Sequence, residues 1–253
     1  MAASGFDDLA GRVALVSGGA SGIGLATAER LAAEGATLVI ADVDEDGGRR
    51  AATKVGGRFV RTDVTDPAAW RALVDDVVAT EGGLDIAHLN AGVLTGEGDL
   101  RSLTDAQYRR ITSVNIDGVV FGARAAGAAM VERGGGAIVA TASMAGLIAF
   151  SMDPIYTMTK HAVVGLVRAL GPPFAAHGVT VNAVCPGIVD TPLVGAGSKP
   201  LLEAAGLTLI SAEQVADAVV TAVRSGLTGE AWVVRAGVEN QRFTFPGVEL
   251  AVG

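Results

Sequence analysis

The chain is poor in the residues that crosslink or chelate. Cys185 is its only cysteine, so no internal disulfide can form and no thiolate cluster can hold a metal; that usage fits a reducing compartment. The three histidines, His88, His161 and His177, have no metal-ligand spacing among them, and no metal is expected. Positive charge is also short, with 19 Lys and Arg against 27 Asp and Glu, a net charge of −8. The resulting pI of about 4.9 argues against nucleic acid and acidic membrane as partners. The longest uncharged run, Gly134 to Met152, is interrupted by glycine, serine and threonine, and reads as a strand entering a loop rather than a membrane span. The opening MAASGFDDLAGR is acidic where a signal peptide would be basic. A soluble, cytoplasmic protein is expected. No G-x-S-x-G turn is present, which disfavours a serine hydrolase.

Apolar residues, in contrast, are plentiful. Half of the 253 residues are hydrophobic and the mean hydropathy is +0.44, enough for one large α/β core. Apolar β-rich runs alternate with helical patterns. The strand candidates are Arg12–Ser17, Ala36–Ala41, GRFVRTDV, LDIAHLNAG, GAIVATAS, VTVNAVCPG and EAWVVRAG. The helices between them include LATAERLAAEG, a segment capped by Asp66, a long stretch from Thr104 to Arg133, Pro154 to about Leu170, and SAEQVADAVVTAVRSG. Strands separated by helices imply right-handed crossovers and a parallel sheet covered on both faces. With no repeat or linker in sight, residues 1–253 read as one doubly wound (Rossmann) domain with a seven-stranded parallel sheet.

Three side chains carry the chemistry. Tyr156 and Lys160 stand at i and i+4 of a helical pattern, so a phenol and an ammonium share one face. A nearby cation favours the phenolate and lowers a pKa that is otherwise near 10. With Ser143 arriving from a strand end to hydrogen-bond the reacting oxygen, the trio suits proton transfer between an alcohol and a ketone. Upstream, GGASGIG lies between the first strand and the first helix, where glycines let backbone approach a pyrophosphate and a helix N-terminus receives it. Asp42 ends the next strand, placed to bond ribose hydroxyls and to repel a 2′-phosphate, and the turn holds no Lys or Arg to neutralise one. NAD is therefore expected rather than NADP.

Ser17-Gly18-Gly19-Ala20-Ser21-Gly22-Ile23-Gly24, Asn90-Ala91-Gly92, Asn115, Ser143, Tyr156-x-x-x-Lys160 and Pro186-Gly187 fall in order at the spacings of the short-chain dehydrogenases/reductases. From about residue 9 to 237 the chain resembles that family, in its compact form. The resemblance implies Tyr156 as general acid/base, Lys160 lowering its pKa and holding the nicotinamide ribose, Ser143 polarising the substrate oxygen, and Asn115 holding a water that relays protons from Lys160. It implies Gly18, Ser21, Gly22, Ile23 and Gly24 along the pyrophosphate, Asp42 and Val43 at the adenosine ribose, and Asp63 and Val64 beside the adenine. Asn90, Ala91 and Gly92 would support the ribose side, and Pro186, Gly187, Val189 and Thr191 the nicotinamide amide. It further implies a homo-oligomer, dimer or tetramer. The run SMAGLIAF…PIYTMTKH is locally similar to the hydroxyprostaglandin dehydrogenase branch.

The chain departs from the family pattern in places: Ser17 stands for Thr, Leu89 for a second Asn, and Gly171-Pro172-Pro173 is expected to break the helix begun at Pro154 early. Taken by themselves, Asn115 reads as a plug in a helix kink, Ser143 as a loop cap, Cys185 as packing and His161 as a helix-surface residue. Asp153, three before Tyr156, reads as a helix N-cap, and the resemblance also implies that it could hydrogen-bond a second substrate hydroxyl. The segment 192–211 is largely apolar with one cation, Lys199, which fits a hydrophobic alcohol or ketone. A 3-oxoacyl-thioester reductase is the alternative enzyme, and an NAD-sensing module the non-enzymatic one. The apolar residues after Gly237 are open to three readings: covering a neighbouring subunit, covering the substrate mouth, or packing on the chain's own core.

Overall fold

A computed structural model describes residues 6–195, 202, 204 and 206–247. The strands are β1 (Val13–Ser17), β2 (Thr37–Asp42), β3 (Arg58–Arg61), β4 (Ile86–Leu89), β5 (Gly136–Thr141), β6 (Val179–Pro186), β7 (Ala231–Arg235) and β8 (Val238–Arg242). They form one sheet in the order β3-β2-β1-β4-β5-β6-β7-β8. Seven run parallel as expected; the eighth is antiparallel and corrects the strand count. VENQR is polar and almost wholly exposed, so it has no hydrophobic pattern to betray a strand. It forms because the two residues Ala236 and Gly237 fold it back onto the open edge of β7. Beyond it Phe243 and Phe245 meet edge to face, with centroids 4.8 Å apart, and pack on the main core. Of the three readings of the tail, this supports packing on its own core up to Gly247.

Alternate residues of the buried strands feed two separate cores. Val13 and Leu15 of β1 face one cluster, while Ala14 and Val16 face the other. The first cluster is covered by α3 (Pro67–Glu81), α5 (Gly118–Arg133) and α6 (Pro154–Ala175). The second is covered by α1 (Gly22–Ala33), α2 (Glu45–Val55) and α7 (Ala212–Arg224). Both faces are thus apolar, which is why the strands read as unbroken hydrophobic runs. Each fully buried Val, Leu or Ile contributes roughly 1.5–3 kcal/mol. Trp70, 1% exposed, is anchored by its indole N–H on the Val64 carbonyl at 3.1 Å.

Helix α2 has no counterpart in the sequence pattern, because EDGGRRAATKV carries two glycines and few apolar residues. It forms because Asp44 caps it through the Gly47 N–H, and because Gly48 leaves room for the Phe59 ring, which would lie 2.1 Å from a Cβ there. The expected caps Asp66 and Thr104 both accept a backbone N–H, Thr104 in a reciprocal box with Gln107. The stretch from Thr104 to Arg133 is α4 (Asp105–Thr112), a π-helical turn (Ser113–Asp117) and α5 in series. By length and composition Asp105–Arg133 would cross a membrane, yet it buries Gly122, Ala123, Ala126 and Met130 against the sheet and exposes Asp117 and Arg124. It is a core helix.

Helix α6 does not stop near Leu170. It runs through Pro172 and Pro173 to Ala175. The residue before a proline is disfavoured in α partly by its own Cβ, which Gly171 lacks. The bare Gly171 also lets the backbone of Gly229 approach to where a Cβ would be 2.8 Å away. Phe174 then locks the last turn onto Gly127 of α5.

Candidate active site

The strand order reverses between β1 and β4, and the predicted residues gather outside the carboxyl ends of the strands at that point. The glycine turn leaves β1 with Gly18 at φ 63°, a left-handed conformation that favours glycine. A Cβ on Gly24 would lie 2.1 Å from the Gly18 carbonyl oxygen, so the turn closes only on glycine. Asn90, just past β4, pins the turn from beside it: its Nδ2 donates to the carbonyls of Ser17 at 3.2 Å and Gly18 at 3.1 Å. Ser21 is the extended N-cap of α1 and makes no side-chain cap bond. The helix thus presents its N-terminus, with Gly22 and Ile23, to the crevice.

Asp42 ends β2 and holds this turn from the other side. Its carboxylate accepts the Ala20 N–H at 3.0 Å and the Asp44 N–H at 3.0 Å. Val43 is 55% exposed beside it. The third strand ends at Arg61, earlier than expected, so Asp63 and Val64 lie in the following turn. There Asp63 accepts both the N–H and the hydroxyl of Thr65, at 2.9 and 2.8 Å, while Val64 packs on Gly118.

Ser143, Tyr156 and Lys160 meet between β5, α6 and β6. Ser143 follows β5, accepts the Ala145 N–H at 3.1 Å and donates to the Pro186 carbonyl at 3.5 Å; its hydroxyl is near enough to the Tyr156 phenol to lower that group's pKa. The loop-cap reading of Ser143 holds, and the hydroxyl stands beside the Tyr156 phenol. Lys160, 3% exposed, donates to the Thr141 carbonyl at 2.7 Å, with Nζ 5.5 Å from the Tyr156 ring centroid. The expected pKa drop of Tyr156 is not what this geometry produces. Burial pushes the phenol up to about 12, against the opposing influence of the Ser143 hydroxyl, and the Asp153 carboxylate adds to the rise. Burial likewise lowers Lys160 to about 8. Removal from water, which spacing does not record, is the largest influence on the phenol.

Asn115 lies in the π-helical turn, wholly buried. Its Oδ1 accepts the Val93 N–H at 2.8 Å, while Nδ2 donates to the Val93 carbonyl at 2.9 Å and to the Thr159 hydroxyl at 3.2 Å. The side-chain amide is thus a clamp on the loop after β4. Gly92, in that loop, is bare towards Asn115 and Lys160, each 3.5 Å from where its Cβ would be. On the opposite wall Pro186 ends β6, Gly187 donates to the Val234 carbonyl at 3.0 Å, and Val189 bridges to Ile210. Thr191 faces Gly22 across the turn, 3.1 Å from a Cβ there. Lys199 lies outside the described residues. Cys185 is buried packing, as read, its thiol pushed up to about 12 chiefly by burial.

Two site features go beyond what the sequence signalled. One is the buried chain from His88 through the Thr141 hydroxyl, at 2.8 Å, to Asn90 Oδ1, at 3.0 Å. Asn90 spends its N–H groups on the turn, so its oxygen accepts from Thr141; Thr141 then accepts from His88 Nε2–H, and Nδ1 is left without a partner. Burial lowers His88 to about 3, so it is neutral. The other is Asp153, a helix N-cap as read, which bonds the Tyr156 N–H at 2.9 Å. Its burial to 3% exposure exceeds what a cap needs. His161 is on the helix surface, as expected.

The residues present fit a dinucleotide: backbone drawn tight at Gly18 and Gly24, a helix N-terminus open at Ser21, and a carboxylate at the end of β2. Comparison with known proteins agrees. A family model described as short chain dehydrogenase matches residues 12–200. The chain is 37% identical over 204 residues to a 2,5-dichloro-2,5-cyclohexadiene-1,4-diol dehydrogenase of Sphingobium indicum, covering 77% of this chain and 82% of that protein. It is 42% identical over 187 residues to a cis-4-hydroxycyclohexanecarboxylate dehydrogenase of Sinomonas cyclohexanicum, covering 72% and 75%. A crystal structure of a short-chain type dehydrogenase/reductase from Mycobacterium marinum superposes with a TM-score of 0.85 at 33% identity, over 91% of this chain and 96% of that one. With the cradle, the crevice and the Ser–Tyr–Lys group all in place, the chain belongs to the short-chain dehydrogenase family and is an oxidoreductase acting on CH–OH groups.

Proposed function

We propose that the protein interconverts hydrophobic ring secondary alcohols and their ketones in the cytoplasm, with NAD as cofactor and Tyr156 as the general acid/base. The observation that carries the reading is the meeting of Ser143, Tyr156 and Lys160 beside the glycine turn. NAD, when bound, supplies hydride transfer. Gly18, Ser21, Gly22, Ile23 and Gly24 would hold its pyrophosphate, Asp42 and Val43 the adenosine ribose, and Asp63 and Val64 the adenine. Asn90, Ala91 and Gly92 with Lys160 would hold the second ribose, and Pro186, Gly187, Val189 and Thr191 the amide. Ser143 orients the substrate oxygen. Tyr156, protonated at neutral pH, gives its proton to a ketone oxygen; in the other direction its phenolate, favoured by the Ser143 hydroxyl, receives the alcohol proton.

The substrate class rests on the loops around the site, where Leu100, Ile148, Met152, Leu193 and Leu207 are exposed. They favour an apolar ring over an acyl thioester with a phosphorylated carrier. Two relatives named for cyclohexane-type substrates support the same class. The cofactor choice rests on Asp42, although Arg61 is its register partner on β3. Tyr108, Val120 and Met158 are exposed on α4 to α6, and we extend the proposal to a homo-oligomer through that face, its size measurable by light scattering.

The test compares NAD(H) with NADP(H) binding and turnover of cyclohexanol-type alcohols in wild type, Tyr156→Phe and Asp42→Ala. Tyr156→Phe is expected to keep NAD affinity and lose about 10²–10⁴ in kcat. Asp42→Ala is expected to weaken NAD and, with the repelling carboxylate gone and Arg61 on the neighbouring strand, to admit NADP. Full turnover in Tyr156→Phe would overturn the mechanism, and an NADP preference in wild type the cofactor reading.

A further inference from the structure

Asp153 binds more than the helix it caps. Its Oδ1 accepts the Tyr156 N–H at 2.9 Å, while Oδ2 accepts the N–H groups of Thr95 at 2.9 Å and Gly96 at 3.2 Å. Other aspartate caps in this chain, Asp44 and Asp66, take one helix N–H with one oxygen, and Ser211 and Thr104 cap with hydroxyls. A cap alone thus needs neither a second oxygen nor burial. The second oxygen reaches the loop that leaves β4, whose Val93 end is already clamped by Asn115. The same loop brings Gly98 against the backbone of Met152, 3.1 Å from where a Cβ would be.

We infer that Asp153 is a positioning residue that straps the 93–98 loop to the first turn of α6, and so fixes one wall of the substrate pocket relative to Tyr156. Both oxygens are committed to backbone N–H groups, so Asp153 acts through the loop and not by touching substrate. The strap itself follows from the hydrogen bonds alone. Its effect on substrate rests on the proposed reading of the site.

Asp153→Ser separates strap from cap, since a serine still caps the helix but is too short to span to Thr95 and Gly96. Asp153→Asn keeps the cap through its oxygen and turns an NH₂ towards two N–H donors. Amide hydrogen exchange and steady-state kinetics are read on both. In both variants the Thr95 and Gly96 amides are expected to exchange about tenfold faster or more, with the Tyr156 amide still protected. KM for a ring alcohol is expected to rise about tenfold, with NAD affinity unchanged and kcat less affected. Unchanged exchange at Thr95 and Gly96 would overturn the strap. Faster exchange with an unchanged KM would overturn its role as a pocket wall. Because exchange needs no substrate, failure of the strap and failure of the proposed reaction give different results.

Discussion

His88 makes the acid stability of this fold predictable. It is wholly buried, and burial lowers its pKa from 6.5 to about 3. Between those values the unfolded chain binds a proton that the native state does not, so stability falls as pH falls through that window. At pH 4.5, two units below the free imidazole value and at about 1.36 kcal/mol per unit, the loss from this residue is about 2.7 kcal/mol. His88→Gln carries no titrating group and still offers an N–H where Nε2 meets Thr141. It is expected to cost about 1 kcal/mol at pH 7 from imperfect geometry. The assay is denaturant unfolding of both proteins at pH 7.0 and 4.5. Carboxylate effects are common to the two and cancel in the comparison. Wild type should lose about 2.7 kcal/mol more than the variant over that interval. Equal losses would refute the reasoning, because they would mean that His88 either titrates normally in the native state or is reached by water. Because native His88 stays neutral down to about pH 3, cofactor affinity of the folded protein should not change on its account over that interval, in wild type or variant.

Two other perturbations test single contacts. Gly24→Ala would place a methyl 2.1 Å from the Gly18 carbonyl oxygen, so it is expected to open the turn and abolish NAD binding while thermal stability falls by only a few degrees. Asp85, 3% exposed, accepts the Val13 N–H at 2.9 Å and pairs with Arg12 and Arg133 at 3.3 and 3.2 Å. Asp85→Ala leaves that N–H unpaired and should cost about 3 kcal/mol in denaturant unfolding; a change below about 0.5 kcal/mol would contradict the pairing.

Much of the site could be read along the chain because its signals are local. The glycine turn follows β1 directly and is closed by residues a few positions apart, such as Gly18 and Gly24. Tyr156 and Lys160 are neighbours by helix geometry alone. Asp42, the caps Asp66, Thr104 and Asp153, and the surface position of His161 each depend on the residue and its near neighbours. The alternation of apolar runs with helical patterns was sufficient for the doubly wound class, since a strand buried on both faces must be apolar throughout.

Tertiary structure decided what depends on groups far apart in sequence. β8 exists because the edge of β7 was available to pair with, not because VENQR prefers a strand. α2 tolerates its glycines because Phe59 fills the space beside Gly48, and α6 passes its prolines because Gly171 rests on Gly229. Asn115 became a clamp once the fold brought Val93 and Thr159 to it, and His88 a fixed donor once Thr141 lay beside it on the neighbouring strand. The ionisation of Tyr156 shows the division most clearly. The sequence by itself determined which cation would stand one helical turn away. Only folding determined how much water the phenol would lose, and that desolvation, a property of the whole surrounding packing, is the largest influence on its ionisation.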